Sequence, residues 1–475
     1  MSDPRIEHVD VVVIGAGPSG LAAAVEASSD GQHVALLDQN ARVGGSYWRH
    51  SPADLDGSAE VELHHDGTTL RRLLDRLDRV DVRTEHTVWG LERRAEGFRV
   101  RALHGEIRRG PVVLDTASVV VATGTHDRVT PFSGWTLPGV MTVGGGQALL
   151  KGTRVAPGTR VLLAGSGPLL LVVADGLLRS GVDVAAVVES GHPTKYGMHP
   201  RAWSGLSART QEATTYLATL ARHRVPYLAG WHIVAAHGTA RVERVTVATR
   251  RGKTREFDVD SLLVSHGFTP ALELLLQVGP DTRVDSDGSL VVVVDEEQRT
   301  SVPGVLATGE VTGVGGASLA ILEGYVAGRA LSRRPVDPAV HKRIGVHRRF
   351  ASAMHAVHRT STDWTDELPD DEIVCRCEDV TAGEIRDACR DLGIDDARGA
   401  KLMTRAGMGL CQGRMCGRAV ADLVVAQTGR PIDPAATAGA SARQPALPVP
   451  LSVLALEAID PPATTNLLSP ESPDG

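Results

Sequence analysis

The sequence predicts an α/β fold: two interleaved Rossmann-like dinucleotide-binding domains, followed by a small helical domain organised by cysteines. Three observations predict it. A strand, a glycine turn, a helix and a second strand run from Val11 to Asp38. The same succession returns about 150 residues later, from Arg160 to Glu189. All five cysteines fall between Cys375 and Cys416.

In the first unit, Val11-Val12-Val13-Ile14 is the continuous apolar run of a buried parallel strand. Gly15-Ala16-Gly17-Pro18-Ser19-Gly20 follows, then a helix-compatible stretch to Ser28, Gly31 as its stop, and a strand from Val34 to Leu37. Each glycine has a task. Gly15 allows the sharp turn off the strand, Gly17 lets a pyrophosphate reach the backbone, and Gly20 lets the helix pack close to the strand. The helix N-terminus presents free N–H groups and the positive end of its dipole to phosphates. Asp38 ends the second strand, where a carboxylate accepts ribose hydroxyls and repels a 2′-phosphate.

In the second unit, Arg160 to Ala164 reads as a strand, Gly165-Ser166-Gly167-Pro168-Leu169-Leu170 as the turn, and Leu171 to Ser180 as the helix. A strand from Val182 to Val188 then ends in Glu189, which keeps the ribose-binding chemistry. The third glycine is replaced by Leu170, whose branched side chain should push the helix off its strand. Gly165, Gly167 and Glu189 are therefore candidates for a second nucleotide site, but NAD(P)H is not the favoured occupant. A vestigial domain, or one holding another adenine nucleotide, is the competing expectation.

Composition limits the function. At roughly 100–200 residues per domain, 475 residues make two to four domains. With 42% hydrophobic and 23% charged residues, a largely disordered chain is excluded. A net charge of -7 and 3% aromatics argue against nucleic acid as a partner. The longest apolar run, Val161 to Ala174, is interrupted by Gly, Ser and Pro and is too short for a membrane span. The N-terminus MSDPRIEH has no secretory pattern, so a cytoplasmic location is expected. The first 374 residues contain no cysteine, which excludes a redox-active disulfide there.

The cysteines are spaced Cys375-x-Cys377 and Cys411-x4-Cys416. Four thiolates can hold a 2Fe-2S cluster or a zinc ion, and Cys-x-Cys is tight for zinc. Between them, Thr381-x-x-Glu384 is a capping box, and Ile385, Ala388, Cys389 and Leu392 make an apolar helix face, so Cys389 reads as core. A second helix, Gly417 to Gln427, starts beside Cys416, with its positive end toward the thiolates.

Several further segments resemble known flavoproteins of the two-dinucleotide-domain type. Arg42-Val43-Gly44-Gly45-Ser46 is similar to their glycine pair, Ala122-Thr123-Gly124 to their central turn, and Ala307-Thr308-Gly309-Glu310 to their C-terminal flavin motif. In that motif an acidic residue, usually Asp, meets the ribityl hydroxyls, and Glu310 departs from it. The resemblance implies FAD in the first site, with Gly15, Gly17, Pro18, Ser19, Gly20, Asp38, Arg42, Gly44, Gly45, Ser46, Val88, Thr123, Gly124, Gly309, Glu310 and Ala317 as its contacts. The segment Gly409 to Gly417 resembles the bacterioferritin-associated-ferredoxin type domain, which implies a 2Fe-2S cluster on Cys375, Cys377, Cys411 and Cys416.

The combination resembles the larger flavoprotein component, termed alpha or A, of bacterial heteromeric amine and amino-acid dehydrogenases. That group includes opine oxidase, hydrogen cyanide synthase and proline or hydroxyproline dehydrogenase, with sarcosine oxidase alpha as a relative. Val264 to Pro270 and the Leu447-Pro448-Val449-Pro450-Leu451 strap share in the resemblance. It implies an electron-relay subunit without catalytic residues of its own. Its partners would be a smaller catalytic flavoprotein (beta) subunit, with a small ferredoxin-like subunit or other electron acceptor. The alternative is an NAD(P)H-dependent reductase that feeds a ferredoxin-like acceptor, and a third reading makes the cysteine module a docking element.

The expected domains are 8–150 with 265–335 for FAD, 151–264 for the second nucleotide fold, 336–369 as a helical linker, 370–430 for the 2Fe-2S cluster, and 431–475 as a Pro/Ala-rich strap and disordered tail. His192, Lys195, His199 and Arg201 read as solvated loop residues, His266 as structural, and Gly144-Gly145-Gly146 as a hinge or plain loop.

Overall fold

The computed structural model describes residues 6–51, 66–105, 110–199 and 206–457. Arg201 and the tail after residue 457 lie outside them. Strand β1 (Ile6–Ile14) lies between β2 (Val34–Leu37) and the strand Gly110–Val121, parallel to both. Val80–Arg83 extends the sheet beyond β2, Val305–Ala307 joins Gly110–Val121 in parallel, and Phe98–His104 and His86–Arg93 continue it antiparallel. The apolar run predicts burial on both faces, and the structure supplies it. Val12 and Ile14 join one core with Ala35 and Leu37, while Val11 and Val13 join another with Leu21 and Ala24.

Helix α1 (Pro18–Ala27) packs against the later helix Ala317–Leu331 at very short range. A Cβ on Gly324 would lie 2.0 Å from the Ser19 carbonyl oxygen, and one on Gly328 would lie 2.4 Å from that of Ala23. Two glycines four apart on one helix face thus let the two backbones touch.

The second sheet is wholly parallel, in the order Tyr227–Ala229, Asp183–Glu189, Arg160–Gly165, Ser261–Ser265, Val140–Thr142. A three-stranded antiparallel sheet spans Trp231–His237, Arg244–Thr249 and Thr254–Asp258. The chain crosses between the two folds where Thr125–Asp127 pairs antiparallel with Phe268–Pro270. Val140–Thr142 therefore belongs to the second sheet, although it precedes residue 151, because its register partners Leu262–Val264 lie there.

Gly144 to Gly146 are not a hinge. They form the first turn of the helix Val143–Thr153, capped by the Thr142 hydroxyl, which accepts from Gly145 N at 2.9 Å. Added Cβ atoms would meet Asp127 Oδ2 at 2.4 Å from Gly144 and Leu263 Cδ1 at 2.7 Å from Gly146, so these glycines serve close packing.

The segment after the second crossing contains a helix, Pro338–Val357, capped by Asp337. The cysteine module follows, with helices Ala382–Leu392, Ala397–Thr404 and Gly417–Thr428. Thr381 and Glu384 form the capping box that their spacing predicts. Val374, Ile385, Ala400 and Leu423 are fully buried at the centre and Cys389 packs among them, but Leu392 is 57% exposed. That helix outruns the module and stops at Gly393, which is left-handed (φ +66). Leu447 and Val449 of the proline strap pack with Val453 on Trp89 and Leu103, whereas Leu451, at the strap's end, faces solvent. Among the described residues no helix is long and apolar enough to cross a membrane.

Candidate functional site

The first glycine turn closes on itself. Gly15 has φ +100, and a Cβ there would lie 2.5 Å from the Ala122 oxygen; one on Gly20 would lie 1.8 Å from the Gly15 oxygen. Gly17 caps α1 in an extended conformation (φ -74, ψ -175) with no side chain in the way, and Pro18 occupies the first helical position. Gly45 comes down on Gly17, whose Cα would be 2.9 Å from a Gly45 Cβ. Side-chain-free backbone from two segments therefore frames the helix N-terminus, a cradle that any Cβ would fill. Asp38 is buried, accepting from Ala16 N at 2.7 Å through one oxygen and from Asn40 N and Nδ2 at 2.8 Å through the other. Arg42 donates to the Ser51 carbonyl, Gly44 (φ +122) bends the chain over Trp48, and Ser46 is exposed.

A second open helix end lies at the same end of the packed helix pair. Ala317 begins its helix after Gly316, which has φ +88 and offers no side-chain cap. Gly309 lies against Ser19, and the Ser19 and Thr308 hydroxyls bond at 2.9 Å. Ser19 packs opposite Gly324 and Ala23 opposite Gly328, so the two helices run side by side in the same direction, and each N-terminus favours negative charge on a ligand. Thr123 donates to the Ala271 carbonyl at 2.7 Å, and Gly124 is left-handed (φ +73). Val88 sits in the core beside Leu37. Both Glu310 oxygens already accept backbone N–H groups, from Gly315 at 2.9 Å and Gly316 at 2.8 Å, and burial raises its pKa. Glu310 thereby shapes the loop leading into Ala317, with its remaining lone pairs free for a hydroxyl.

Two residues here belong to no sequence motif. Glu323 is 1% exposed and accepts from Gly309 N at 3.1 Å, while Arg348 of the following helix donates to Glu323, to the Thr312 hydroxyl and to the Gly313 carbonyl. Burial pushes the Glu323 carboxyl up to about 7, against the pull of Arg348. Their one signal in the sequence is an acidic residue in the middle of a mainly apolar helix, Ala317–Leu331.

The second turn is built differently. Gly165 keeps the tight approach, since a Cβ would lie 1.8 Å from the Ser265 oxygen. Gly167, however, is left-handed (φ +106), and the helix Leu169–Arg179 starts one motif position later than α1 does. This corrects the expectation for Leu170. It does not splay the unit but is fully buried in the core with Val161, Leu163 and Val173. Glu189 does not face an open site either. Its oxygens accept from Gly191 N at 2.7 Å and Gly167 N at 3.0 Å, and His358 Nδ1 lies 3.2 Å away. His266 is half-buried, its Nδ1 accepts from Thr130 N, and desolvation next to Arg128 drops its pKa to about 3, so it stays neutral as a structural group.

In the cysteine module Cys375 and Cys416 are buried, Cys411 is half-buried and Cys377 is exposed. The thiols form a run of neighbours, Cys375 to Cys416, Cys416 to Cys411, and Cys411 to Cys377. The Cys375 thiol is pulled down to about 6 by its bond with Cys416 against burial, helped by the N–H groups of Gly407, Glu378 and Cys377. Cys411 falls to about 4, through Cys416 first, then through the Met415 and Gly413 N–H groups and Cys377. Cys416 is pushed up as the donor to both. Gly409 is required, because a Cβ would lie 2.1 Å from Cys377 Cβ. Convergent thiols with N–H groups aimed at them suit a soft, thiolate-ligated iron centre. Burial raises the Cys389 pKa, as fits a core thiol. Cys416→Ser is expected to abolish cluster absorbance and iron content, whereas Cys389→Ser should retain both, read by visible spectra and iron assay after anaerobic reconstitution.

The module is seated firmly on both nucleotide folds. Asp422, 4% exposed, holds Arg128 and Arg418 at 2.8 Å each. Glu273, two residues after Ala271, whose N–H donates to the Gly124 carbonyl, pairs with Arg414 of the cysteine loop at 2.8 Å. Trp135 donates to the Ile373 carbonyl at 2.6 Å and lies under Arg376, 4.2 Å from the ring centre.

This fold and these two sites define an FAD-dependent oxidoreductase that carries a 2Fe-2S domain. Residues 9–335 match the pyridine nucleotide-disulphide oxidoreductase family, and residues 373–426 match the BFD-like [2Fe-2S] binding domain. The chain is 32% identical over 467 residues to the A subunit of opine oxidase from Agrobacterium tumefaciens, covering 94% of this chain and 92% of that protein. It is also 32% identical over 461 residues to hydrogen cyanide synthase subunit HcnB of Pseudomonas aeruginosa, covering 89% and 96%. Among solved structures, L-proline dehydrogenase from P. horikoshii shares the fold, with a TM-score of 0.68 and 22% identity over 96% of this chain and 81% of that one. The chain therefore belongs to the pyridine nucleotide-disulphide oxidoreductase family, in the group that contains HcnB and the A subunit of opine oxidase.

Proposed function

We propose that this chain is the electron-relay subunit of a heteromeric dehydrogenase whose smaller flavoprotein subunit oxidises the C–N bond of an amine or amino acid. The substrate class is that of opines, proline or hydroxyproline, glycine or sarcosine. The reading rests on one observation above all: a chain that carries a dinucleotide cradle also seats a four-thiol module on its nucleotide folds, through Glu273–Arg414 and Arg128–Asp422, and no cysteine precedes residue 375. The relatives' names support the partnership, since both are subunits.

The Gly15–Gly20 turn and Asp38 would hold the adenosine and pyrophosphate of FAD, with Gly45, Thr123, Gly309 and the Ala317 helix end along its length. Cys375, Cys377, Cys411 and Cys416 would hold the cluster. When bound, the flavin supplies one- and two-electron steps and the cluster one-electron steps. The protein's own part is to fix both groups, keep water from the buried Cys375–Cys416 side, and leave Cys377 at the surface as an outlet to a small ferredoxin-like acceptor.

The test is anaerobic. The chain is purified with and without the product of the neighbouring gene and screened against amino acids while flavin absorbance is followed. Bleaching that needs both the partner and an amino acid is expected. Rapid bleaching of the isolated chain by NADH alone would replace this reading with that of a self-contained reductase.

A further inference from the structure

The residues that should recognise a second nucleotide are occupied by the chain itself. The linker helix Pro338–Val357 ends at the mouth of the second glycine turn. There the Ser166 hydroxyl donates to the His358 carbonyl, across 192 residues of sequence. The His358 imidazole, 10% exposed, places Nδ1 3.2 Å from Glu189 Oε2, at a contact distance without hydrogen-bond alignment. The Val357 carbonyl closes over Gly191, where a Cβ would meet it at 2.8 Å.

We infer that His358 is a specificity-determining plug: it fills the adenosine-ribose position of the second nucleotide fold and excludes adenine dinucleotides, NAD(P)H included. Three arguments carry this. Ribose recognition needs an open side on the carboxylate, and at Glu189, whose oxygens accept from Gly167 N and Gly191 N, that side meets the His358 imidazole. The plug is also not a loose end. Tyr196 packs edge-on against His358 at 5.7 Å and stacks on Phe350 of the same linker helix at 6.0 Å, and Arg348 of that helix is bound to the buried Glu323. Displacing His358 would therefore require the linker helix to shift from the flavin-binding fold. Finally, the turn differs from that of α1, because Gly167 is left-handed (φ +106) where Gly17 is extended (φ -74, ψ -175). The second fold has become a seat for the linker that leads into the cysteine module, where the Thr360 hydroxyl continues the attachment by donating to the His266 carbonyl at 3.0 Å.

The experiment titrates ADP and NADH into the holoprotein by calorimetry and follows the flavin spectrum with NADH, for the wild type, His358→Ala and His358→Ser. Retained flavin and cluster absorbance certifies each variant as folded. His358→Ser also removes the imidazole but keeps a small polar side chain, and covers the case in which His358→Ala does not fold. The wild type is expected to show neither ADP binding nor bleaching at millimolar nucleotide. A folded variant should gain affinity for ADP of roughly tenfold or more, the size of one recovered ribose–carboxylate interaction. ADP binding or NADH bleaching in the wild type would overturn the inference, and so would folded variants that still ignore ADP. The readout uses neither partner nor substrate, so its failure is distinct from failure of the relay reading.

Discussion

Replacing Asp422 with Ala should release the cysteine module from its seat. The carboxylate holds Arg128 and Arg418 at 2.8 Å each, and the Arg128 side chain is only 7% exposed. Its removal strands a buried guanidinium, a change that costs about 3–5 kcal/mol where a pair is broken rather than replaced. Arg418 keeps the Gly288 carbonyl, so most of the loss falls on Arg128. Urea unfolding should show a correspondingly earlier transition, and limited proteolysis should cut between residues 358 and 372 in the variant before the wild type. Asp422→Asn keeps the shape and part of the hydrogen bonding and should lose less. A loss below about 1 kcal/mol for Asp422→Ala would mean that the pair is no more than a surface contact.

Gly20→Ala should remove FAD. The added methyl group would lie 1.8 Å from the Gly15 oxygen, a backbone atom with no flexible end to yield. The helix must move, and with it the N–H groups that receive the pyrophosphate. Overpacking of this kind costs roughly 1–3 kcal/mol in stability, and more where backbone resists. The purified variant should keep its cluster absorbance but release flavin at below about a tenth of the wild-type amount when denatured. At the equivalent position of the second motif the requirement reverses. Leu170 is fully buried among aliphatic neighbours, so Leu170→Ala should destabilise by about 2–5 kcal/mol without touching flavin content. One motif position thus needs no side chain in one fold and a full one in the other.

Much of this molecule was legible because its signals are local. The Gly15-x-Gly17-x-x-Gly20 spacing is dictated by a turn of a few residues, and the Thr381–Glu384 box by one helical turn, so both survive in the sequence with their meaning intact. The four cysteines were legible for the same reason, since each pair is close in sequence and the pairs are brought together by a compact module. Gly144 to Gly146 and Leu392 misled because the same residues read equally well in two contexts. A glycine run can be a hinge or the face of a tightly packed helix, and only Leu263 and Asp127 across the contact distinguish them.

From the order of residues alone came two βαβ units, the side-chain-free turn at the start of α1, the four cysteines of one module and the core place of Cys389, because each of these is set by spacing along a short stretch of backbone. Folding in three dimensions settled the rest: that Leu170 belongs in a core, that Glu323 answers Arg348, and that His358 reaches back to Ser166 and Glu189. Those pairings join residues 25 to 192 positions apart, and no local propensity encodes which distant side chain will arrive.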